Sequence, residues 1–263
     1  MKIKDKVVVI TGGATGIGAA LARRFHAEGA KAIAVAGFQE DLLAEVAAEV
    51  GGLAVACDVT QESAIQDLIR QVEEKFGPID IFCSNAGIAR MGDEDVPDAE
   101  WQLNWDVHVM AHIYAARALA PKMAERGGGY LVNTASAAGL LSHIQSATYS
   151  VTKHAAVAFA EWLSIKYRHQ GVRVSVLAPQ AVRTPMTDRP DEAEVASVDG
   201  MIEPEELADC VVETMDKEEF LILPHPVVRK YMMNKTTDVD RWLSGMNKWR
   251  VAAGPISSAD TDD

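Results

Sequence analysis

Near its start the chain reads VVVITGGATGIG from Val7 to Gly18, a short apolar run that leads directly into a glycine-rich stretch. The apolar run has the length and β-branched composition of a buried strand, and the glycines stand where that strand would end and a helix begin. Gly12 permits a tight turn, Gly16 lets the backbone approach a pyrophosphate, and Gly18 lets the helix pack closely on the strand. The stretch therefore predicts a strand, a phosphate-binding turn and a helix whose first N–H groups face the anion. Taken alone, an ordinary turn is the alternative.

Composition narrows the classes of protein to which the chain can belong. Its 263 residues are 48% hydrophobic, which is enough for one large domain. Acidic residues outnumber basic ones, 38 to 25, and the net charge of -13 disfavours nucleic acid and anionic membranes as partners. No export signal or long uncharged apolar run is visible, and the three cysteines have no metal-site spacing. These features predict a cytoplasmic protein without a metal site.

Short apolar runs alternate with longer amphipathic stretches as far as Leu223, a pattern typical of repeated β-α units around a parallel sheet. The predicted strands are 7–10, 32–36, 53–57, 79–83, 130–134, 172–177 and 220–223. The predicted helices are 18–28, 39–50, 63–76, 98–126 and 149–169. We expect one α/β domain over residues 1–263, with a long mobile substrate loop at about 186–204 and a C-terminal extension at about 225–263.

Polar residues follow two further strands at the same edge of the predicted sheet. Asp58 lies just beyond the third strand, where its carboxylate accepts a hydrogen bond either from an adenine amino group or, as a turn cap, from its neighbours. Asn85, Ala86 and Gly87 follow the fourth strand, either as the floor of a dinucleotide cleft or as a plain loop. Because open α/β sheets bind ligands at the carboxyl ends of their strands, the combination favours a dinucleotide site.

The end of the second strand, which usually selects between NAD and NADP, carries neither of the usual signals. A carboxylate there binds the ribose 2'-hydroxyl, and an arginine accommodates a 2'-phosphate. Here the chain reads Ala36-Gly37-Phe38, with Glu40 and Asp41 close by and no basic residue. The local negative charge favours NAD over NADP.

A tyrosine and a lysine are spaced for proton chemistry on one predicted helix. Tyr149 and Lys153 stand four residues apart, which places both side chains on one helix face. A free tyrosine has a pKa of about 10, too high for a base at neutral pH, but a fixed positive charge nearby stabilises the phenolate and lowers that pKa. Tyr149 can then exchange a proton with a substrate hydroxyl or carbonyl. For this pair alone, an ordinary surface contact is the alternative.

The wider pattern resembles the short-chain dehydrogenase/reductase family. Ser136 lies thirteen residues before Tyr149, beyond the fifth predicted strand, and completes a set of serine, tyrosine and lysine. Together with the TGxxxGxG stretch, Asp58, the Asn-Ala-Gly stretch at 85–87 and the segment 179–184, these motifs span residues 6–186 in the family's order and spacing. The glycine spacing is similar to that of the family's simple, single-domain dehydrogenases.

The resemblance implies a fold, a cofactor and a set of residue roles. The fold is a Rossmann-type, doubly wound parallel sheet of seven strands with helices on both faces, in chains that tend to form homotetramers or homodimers. Ser136 would hold the substrate oxygen, Tyr149 would act as general acid and base, and Lys153 would bind the nicotinamide ribose and lower the tyrosine pKa. The positions implied to contact NAD or NADP are Gly12, Thr15, Gly16, Ile17, Gly18, Asp58, Val59, Asn85, Ala86, Gly87, Tyr149, Lys153, Pro179, Val182 and Thr184.

Two positions depart from the family pattern. His108 stands where the family usually has an asparagine that holds a relay water; the imidazole either keeps this proton relay and titrates near neutral pH, or is a packed helix residue. Gln180 replaces a glycine beside the nicotinamide and either shapes the substrate pocket or points away. Further pocket candidates are His143, Gln145 and Met186.

These observations predict an oxidoreductase that moves a hydride between NAD(P) and a secondary alcohol or ketone. Apolar residues in the loops expected to border the pocket favour an apolar substrate. Two alternatives stay open, a sensor or scaffold that binds the dinucleotide without catalysis, and a lyase or epimerase that reuses the cofactor without net turnover. Trp242 and Trp249, seven residues apart, are interpreted as helix packing or a subunit contact rather than as part of the chemistry.

Overall fold

The seven strands form one sheet in which all neighbours are parallel. The structure is a computed structural model that describes residues 1–187 and 197–254. The spatial order of the strands is 3-2-1-4-5-6-7, which confirms the prediction of a Rossmann-type, doubly wound sheet. The strands are β1 (Val7–Thr11), β2 (Ala32–Gly37), β3 (Leu53–Ala56), β4 (Ile81–Ser84), β5 (Gly129–Thr134), β6 (Val172–Leu177) and β7 (Leu221–Ile222).

Helices cover both faces of this sheet, because successive strand residues point to opposite sides and both sides are apolar. Val8 and Ile10 face one core, while Val7 and Val9 face the other. The helices are α1 (Gly16–Ala27), α2 (Glu40–Glu49), α3 (Glu62–Phe76), α4 (Asp98–Trp105), α5 (Ala111–Glu125), α6 (Ala138–Leu141), α7 (Ala147–Tyr167), α8 (Pro204–Asp216), α9 (Val227–Thr237) and α10 (Val239–Ala253). Helices α1, α2 and α8 pack on the first face, and α3, α5 and α7 on the second.

The chain winds outward in both directions from the pair β1 and β4. β1 lies between β2 and β4, so the connections after β1 and β4 leave the sheet toward opposite faces and open a crevice between them. The glycine-rich turn leaves β1 at this crevice, and Asn85 follows β4 there. The fold thus brings the predicted nucleotide residues to one edge of the sheet.

The prediction of one regular helix over 98–126 is wrong in its middle. A π-helical turn, Asp106–Met110, separates α4 from α5 and inserts an extra residue into the turn, with the N–H of Ala111 donating to the carbonyl of Asp106. Such turns often mark functional sites. His108 lies on this turn.

The C-terminal third contains helices that the sequence pattern does not predict. Helix α8 begins with Pro204 at its first turn, and α9 and α10 follow β7. Part of the loop predicted at 186–204 is ordered, since Ile202 forms an isolated bridge with Val182. Residues 188–196 of that loop, and the end of the C-terminal extension after Gly254, lie outside the described residues. None of the helices in the described ranges combines the length and apolar composition that a membrane span requires.

Candidate active site

A cavity of about 800 Å³ runs along the carboxyl edge of the sheet, from the glycine-rich turn to the C-terminal helices. It brings together residues at or just after the carboxyl ends of β1, β4, β5 and β6, and residues of α7. The first and the last of these segments lie more than a hundred positions apart in the sequence. All the predicted cofactor positions except Asp58 line it, namely Gly12, Thr15, Gly16, Ile17, Gly18, Val59, Asn85, Ala86, Gly87, Tyr149, Lys153, Pro179, Val182 and Thr184. Ser136, His143, Gln180 and Met186 line it as well.

The glycine-rich turn can be formed only by residues with little or no side chain. Gly12 and Gly16 adopt φ values of +64° and +50°, in the left-handed region that favours glycine. A Cβ on Gly16 would lie 2.8 Å from the methyl carbon of Thr184, so these two segments touch at the cavity wall. Thr15, the residue before α1, makes no side-chain cap to the helix, which leaves the first N–H groups of α1 for an anion.

Replacement of Gly18 with Ala is expected to lower the free energy of unfolding by about 1–3 kcal/mol. A Cβ at this position would lie 2.1 Å from the carbonyl oxygen of Gly12, and a backbone atom cannot move aside without distorting the turn. Urea denaturation followed by circular dichroism measures the change. Gly245→Ala in the exposed part of α10 is the matched control, since nothing lies within 4 Å of its Cβ, and it should keep or raise stability. An unchanged midpoint for Gly18→Ala would contradict the close packing of helix on turn.

Asn85 ties the ends of three strands together beside this turn. Its side-chain amide donates to the carbonyl of Thr11 at 3.1 Å, and its amide oxygen accepts from the hydroxyl of Thr134 at 3.2 Å. The hydroxyl oxygen of Thr11 in turn accepts from the backbone N–H groups of Asn85 and Ala86, at 3.0 and 3.1 Å. The floor of the crevice is therefore held rigid by bonds between β1, β4 and β5.

Asp58 adopts the turn-cap arrangement that the sequence left open. One carboxylate oxygen accepts from the backbone N–H and the hydroxyl of Thr60, at 2.9 and 2.7 Å. Its neighbours Cys57 and Val59 line the cavity in its place. At the end of β2, Phe38 also lines the cavity and is 72% exposed, a feature that the charge argument about this position did not consider.

Tyr149 and Lys153 lie on one face near the start of α7. The hydroxyl of Ser146 caps this helix by accepting from the N–H of Tyr149 at 3.2 Å. The ammonium nitrogen of Lys153 lies 5.4 Å from the centre of the Tyr149 ring and donates to the carbonyl of Thr134 at 3.2 Å. Burial lowers the pKa of Lys153 to about 7, so its charged and neutral forms are both populated near neutral pH.

Ser136 stands where β5 turns toward α6. Its hydroxyl accepts from the N–H of Ala138 at 3.1 Å and donates to the carbonyl of Pro179 at 3.4 Å. These bonds join the end of β5 to the segment after β6. They place the hydroxyl at the cavity wall, where its O–H can turn from the 3.4 Å bond with Pro179 and donate to a ligand oxygen.

His108 is fully buried and neutral, so the expectation that it titrates near neutral pH is wrong. Burial, together with the positive charge of Lys153, holds its pKa well below 6.5. Its Nε2 accepts from the backbone N–H of Ile88 at 3.2 Å. Its Nδ1 donates to the hydroxyl of Thr152 at 3.0 Å, since that hydroxyl itself donates to the carbonyl of Thr148. The ring also meets Tyr149 edge-on, with centroids 5.4 Å apart.

Three of the four predicted pocket residues reach the cavity. Burial lowers the pKa of His143 to about 4, and its ring lies 6.3 Å from that of Tyr149. Gln180 lines the cavity, and its side-chain amide donates to a carboxylate oxygen of Asp199 at 2.8 Å. Met186 also lines the cavity. Gln145 does not; its backbone N–H donates to Nδ1 of His143 and its carbonyl accepts from the N–H of Gly92.

Sequence reasoning missed the far wall of the cavity. Tyr231 of α9 and Trp242, Met246 and Trp249 of α10 line it. The spacing of the last three residues, i, i+4 and i+7, places them on one helix face and was the available signal. The interpretation of Trp242 and Trp249 as helix packing or a subunit contact therefore leaves out their place in the cavity. Among the described residues, no group of three or more His, Cys, Asp or Glu side chains is arranged to hold a metal.

Comparison with known proteins gives consistent matches over most of the chain. A family model described as short chain dehydrogenase matches residues 6–195. The 1-deoxy-11-beta-hydroxypentalenate dehydrogenase of Streptomyces exfoliatus is 33% identical over 253 residues, which cover 93% of this chain and 92% of the relative.

Solved structures match at the level of the whole fold. A short chain dehydrogenase/reductase from Burkholderia phymatum, in complex with NAD, has a TM-score of 0.85 and 27% identity, over 92% of this chain and 96% of that one. The L-sorbose reductase of Gluconobacter frateurii, complexed with NADPH and L-sorbose, has a TM-score of 0.76 and 29% identity, over 85% and 95% of the two chains.

Proposed function

Because the chain belongs to the short-chain dehydrogenase/reductase family of oxidoreductases, we propose that it interconverts a secondary alcohol and a ketone with a nicotinamide dinucleotide. The observation that carries the proposal is that Ser136, Tyr149 and Lys153 line the same cavity as the glycine-rich turn. Proton-transfer groups and a phosphate-binding turn are the two parts that such a reaction needs in one place.

The residues at the glycine end fit a dinucleotide. Gly12, Gly16 and Gly18 leave a cradle that a Cβ would fill, and the uncapped start of α1 offers N–H groups to a pyrophosphate. Val182 and Thr184 border the opposite side of this cradle. One related structure holds NAD and another NADPH. We favour NAD for this chain because the first turn of α2 carries Glu40 and Asp41.

The catalytic end of the cavity exchanges with the substrate the proton that accompanies hydride transfer. When bound, the nicotinamide accepts or supplies a hydride at the substrate carbon. Tyr149 takes the proton from the alcohol, or gives it to the ketone oxygen, while the hydroxyl of Ser136 holds that oxygen by a hydrogen bond. A phenolate on Tyr149 and an ammonium on Lys153 favour each other, since each reduces the cost of placing the other charge in a buried site.

His108 acts as a positioning residue in this scheme. Both its ring nitrogens have partners, and its low pKa keeps it neutral. It therefore holds Ile88 to α7 through Thr152, beside the Tyr149 ring, and does not take up a proton during the reaction. The proton relay that the sequence resemblance implied for this position does not enter the proposal.

Reduced-nicotinamide absorbance tests the proposal. Purified protein is mixed with NAD or NADP and a panel of secondary alcohols, and with the reduced cofactors and the matching ketones. We expect turnover with at least one pair, and a loss of about a hundredfold or more in Lys153→Met, which exchanges the buried amine for an apolar side chain of similar length. Cofactor binding without any turnover would instead favour a sensor, or a lyase or epimerase that reuses the cofactor.

We further propose that the catalytic and dinucleotide-binding residues form one domain over 1–263 and that the chain assembles as a homodimer or homotetramer in the cytoplasm. Large apolar side chains of α7 are exposed in the single chain, with Trp162 at 53% and Ile165 at 80%. Burial of such a patch between copies would be favourable. Light scattering coupled to size exclusion should give a mass of at least two chains, and a monomer would contradict the proposal.

A further inference from the structure

The wall of the cavity opposite the glycine-rich turn is aromatic. Trp242, Met246 and Trp249 present one face of α10, and Tyr231 of α9 stands beside them, with its ring centre 6.3 Å from that of Trp242. We call these four residues the aromatic wall. All four are half-buried, and no residue of α10 is fully buried. Part of their apolar surface therefore stays accessible in the cavity.

The aromatic wall is fixed close to the catalytic end. Trp242 and Tyr231 pack against a small apolar cluster that includes Ala137 and Leu141. Ala137 is the residue directly after Ser136, so the wall is anchored next to the hydroxyl that would hold the reacting oxygen. Lys235 of α9 donates to the carbonyl of Leu140 at 2.8 Å and fastens the helix pair to α6.

The cavity offers almost no charge to a ligand. Among the described residues that line it, Lys153 is the one with a basic or acidic side chain other than histidine and tyrosine. Its amine already donates to the carbonyl of Thr134. The low pKa of His143 keeps that ring neutral. Among these described residues, a carboxylate or phosphate on the substrate would therefore meet no charged partner other than Lys153, at a considerable desolvation cost.

We propose that the aromatic wall binds the hydrocarbon body of a bulky, uncharged alcohol or ketone, such as a fused-ring compound. The proposal rests on the proposed function, because it assigns the substrate class of the same site. Aromatic side chains bury large, flat apolar surfaces, and the flexible thioether of methionine fills the gaps between them. The carbonyl would lie at Ser136 and Tyr149, and the rings of the substrate against Trp242 and Trp249.

Ketones of increasing size test this assignment. The pair trans-decalone and cyclohexanone differ in apolar bulk, and a cyclohexanone with a para carboxylate and its ethyl ester differ in charge. We expect kcat/KM to favour decalone over cyclohexanone by at least about tenfold, and the ester over the carboxylate by a similar factor. In Trp249→Ala the preference for decalone over cyclohexanone should fall to below about threefold.

Two further variants distinguish loss of the aromatic wall from a general disturbance of the fold. Trp242→Phe keeps an aromatic ring in the cluster near Ser136 and should lower the decalone preference less than Trp249→Ala does. Leu243→Ala is the matched control, since this side chain is 57% exposed beside Trp242 and does not line the cavity. It should keep the wild-type preference. An unchanged preference in Trp249→Ala, or a preference for the carboxylate over the ester, would overturn the proposal.

Equilibrium dialysis of decalone separates failure of the subsite from failure of the chemistry. Binding to the wild type and Leu243→Ala, with at least about tenfold weaker binding to Trp249→Ala, supports the aromatic wall even if no ketone is reduced. In that case the proposed function fails and the binding site stands. Absence of decalone binding to the wild type overturns the subsite, whatever the turnover assay gives.

Discussion

Replacement of Tyr149 with Phe should reduce kcat by about a thousandfold or more while the dissociation constant of the cofactor stays within about threefold. The change removes one hydroxyl and keeps the ring that meets His108 edge-on. Without that hydroxyl, the alcohol loses its proposed proton acceptor. Steady-state kinetics measure the loss, and fluorescence titration with reduced cofactor measures the binding.

Two companion variants show whether the loss belongs to the chemistry. Tyr114→Phe removes a hydroxyl from a tyrosine on α5 that does not line the cavity, and it should keep wild-type rates. Ser136→Ala removes a hydrogen bond to the substrate oxygen and should cost less than the loss of Tyr149, about a hundredfold. A Tyr149→Phe enzyme that keeps a tenth of the activity would show that another group moves the proton.

Lowering the pH from 7 to 5 should destabilise the fold on the order of 5 kcal/mol. Burial lowers the pKa values of four histidines, with His112 at about 3, His143 at about 4, and His108 and His225 below their usual value. The unfolded chain takes up a proton on each imidazole as the pH falls through about 6.5, and the folded chain does not. Because the unfolded state then binds more protons, stability is present above that pH and is lost below it, at about 2 kcal/mol for each of His112 and His143 by pH 5.

Urea denaturation at several pH values between 5 and 7 measures this dependence. His112→Leu should reduce the slope by about a third and raise stability, because neither ring nitrogen of this buried histidine has a hydrogen-bond partner among the described residues. His169→Leu removes an exposed histidine and serves as the matched control, which should keep the wild-type slope. Identical slopes in the wild type and His112→Leu would contradict the prediction. They would mean that the His112 imidazole takes up its proton over the same pH range in the folded and the unfolded protein.

The fold and the glycine-rich turn were predictable because their signals are local. Val7 to Gly18 specifies a strand, a turn and a helix through period and glycine spacing alone. The proximity of Tyr149 and Lys153 was predictable for the same reason, because a spacing of four residues places both side chains on one face of a helix. The edge at which these parts meet follows from the parallel sheet.

The remaining features depend on burial and on docking between distant segments. The low pKa of His108 could not be predicted from the sequence, because it follows from full burial and from the nearby charge of Lys153. The bond between Gln180 and Asp199 spans a loop whose path the sequence does not specify. The aromatic wall was missed because the face that α10 presents to the cavity is set by its packing on α6, far away in the sequence.

Helix α10 contributes three side chains to the cavity and none to the buried core. Apart from Trp242, which packs on the cluster beside Ser136, substitutions on such a helix cost little folding free energy. Ser136 lies just after β5 and Lys153 lies on α7, amid residues on which the core depends. The sequence of α10 can therefore vary more freely than the sequence around Ser136 and Lys153. During evolution, proteins of this architecture can change their substrate through substitutions in α10 and keep the same catalytic residues.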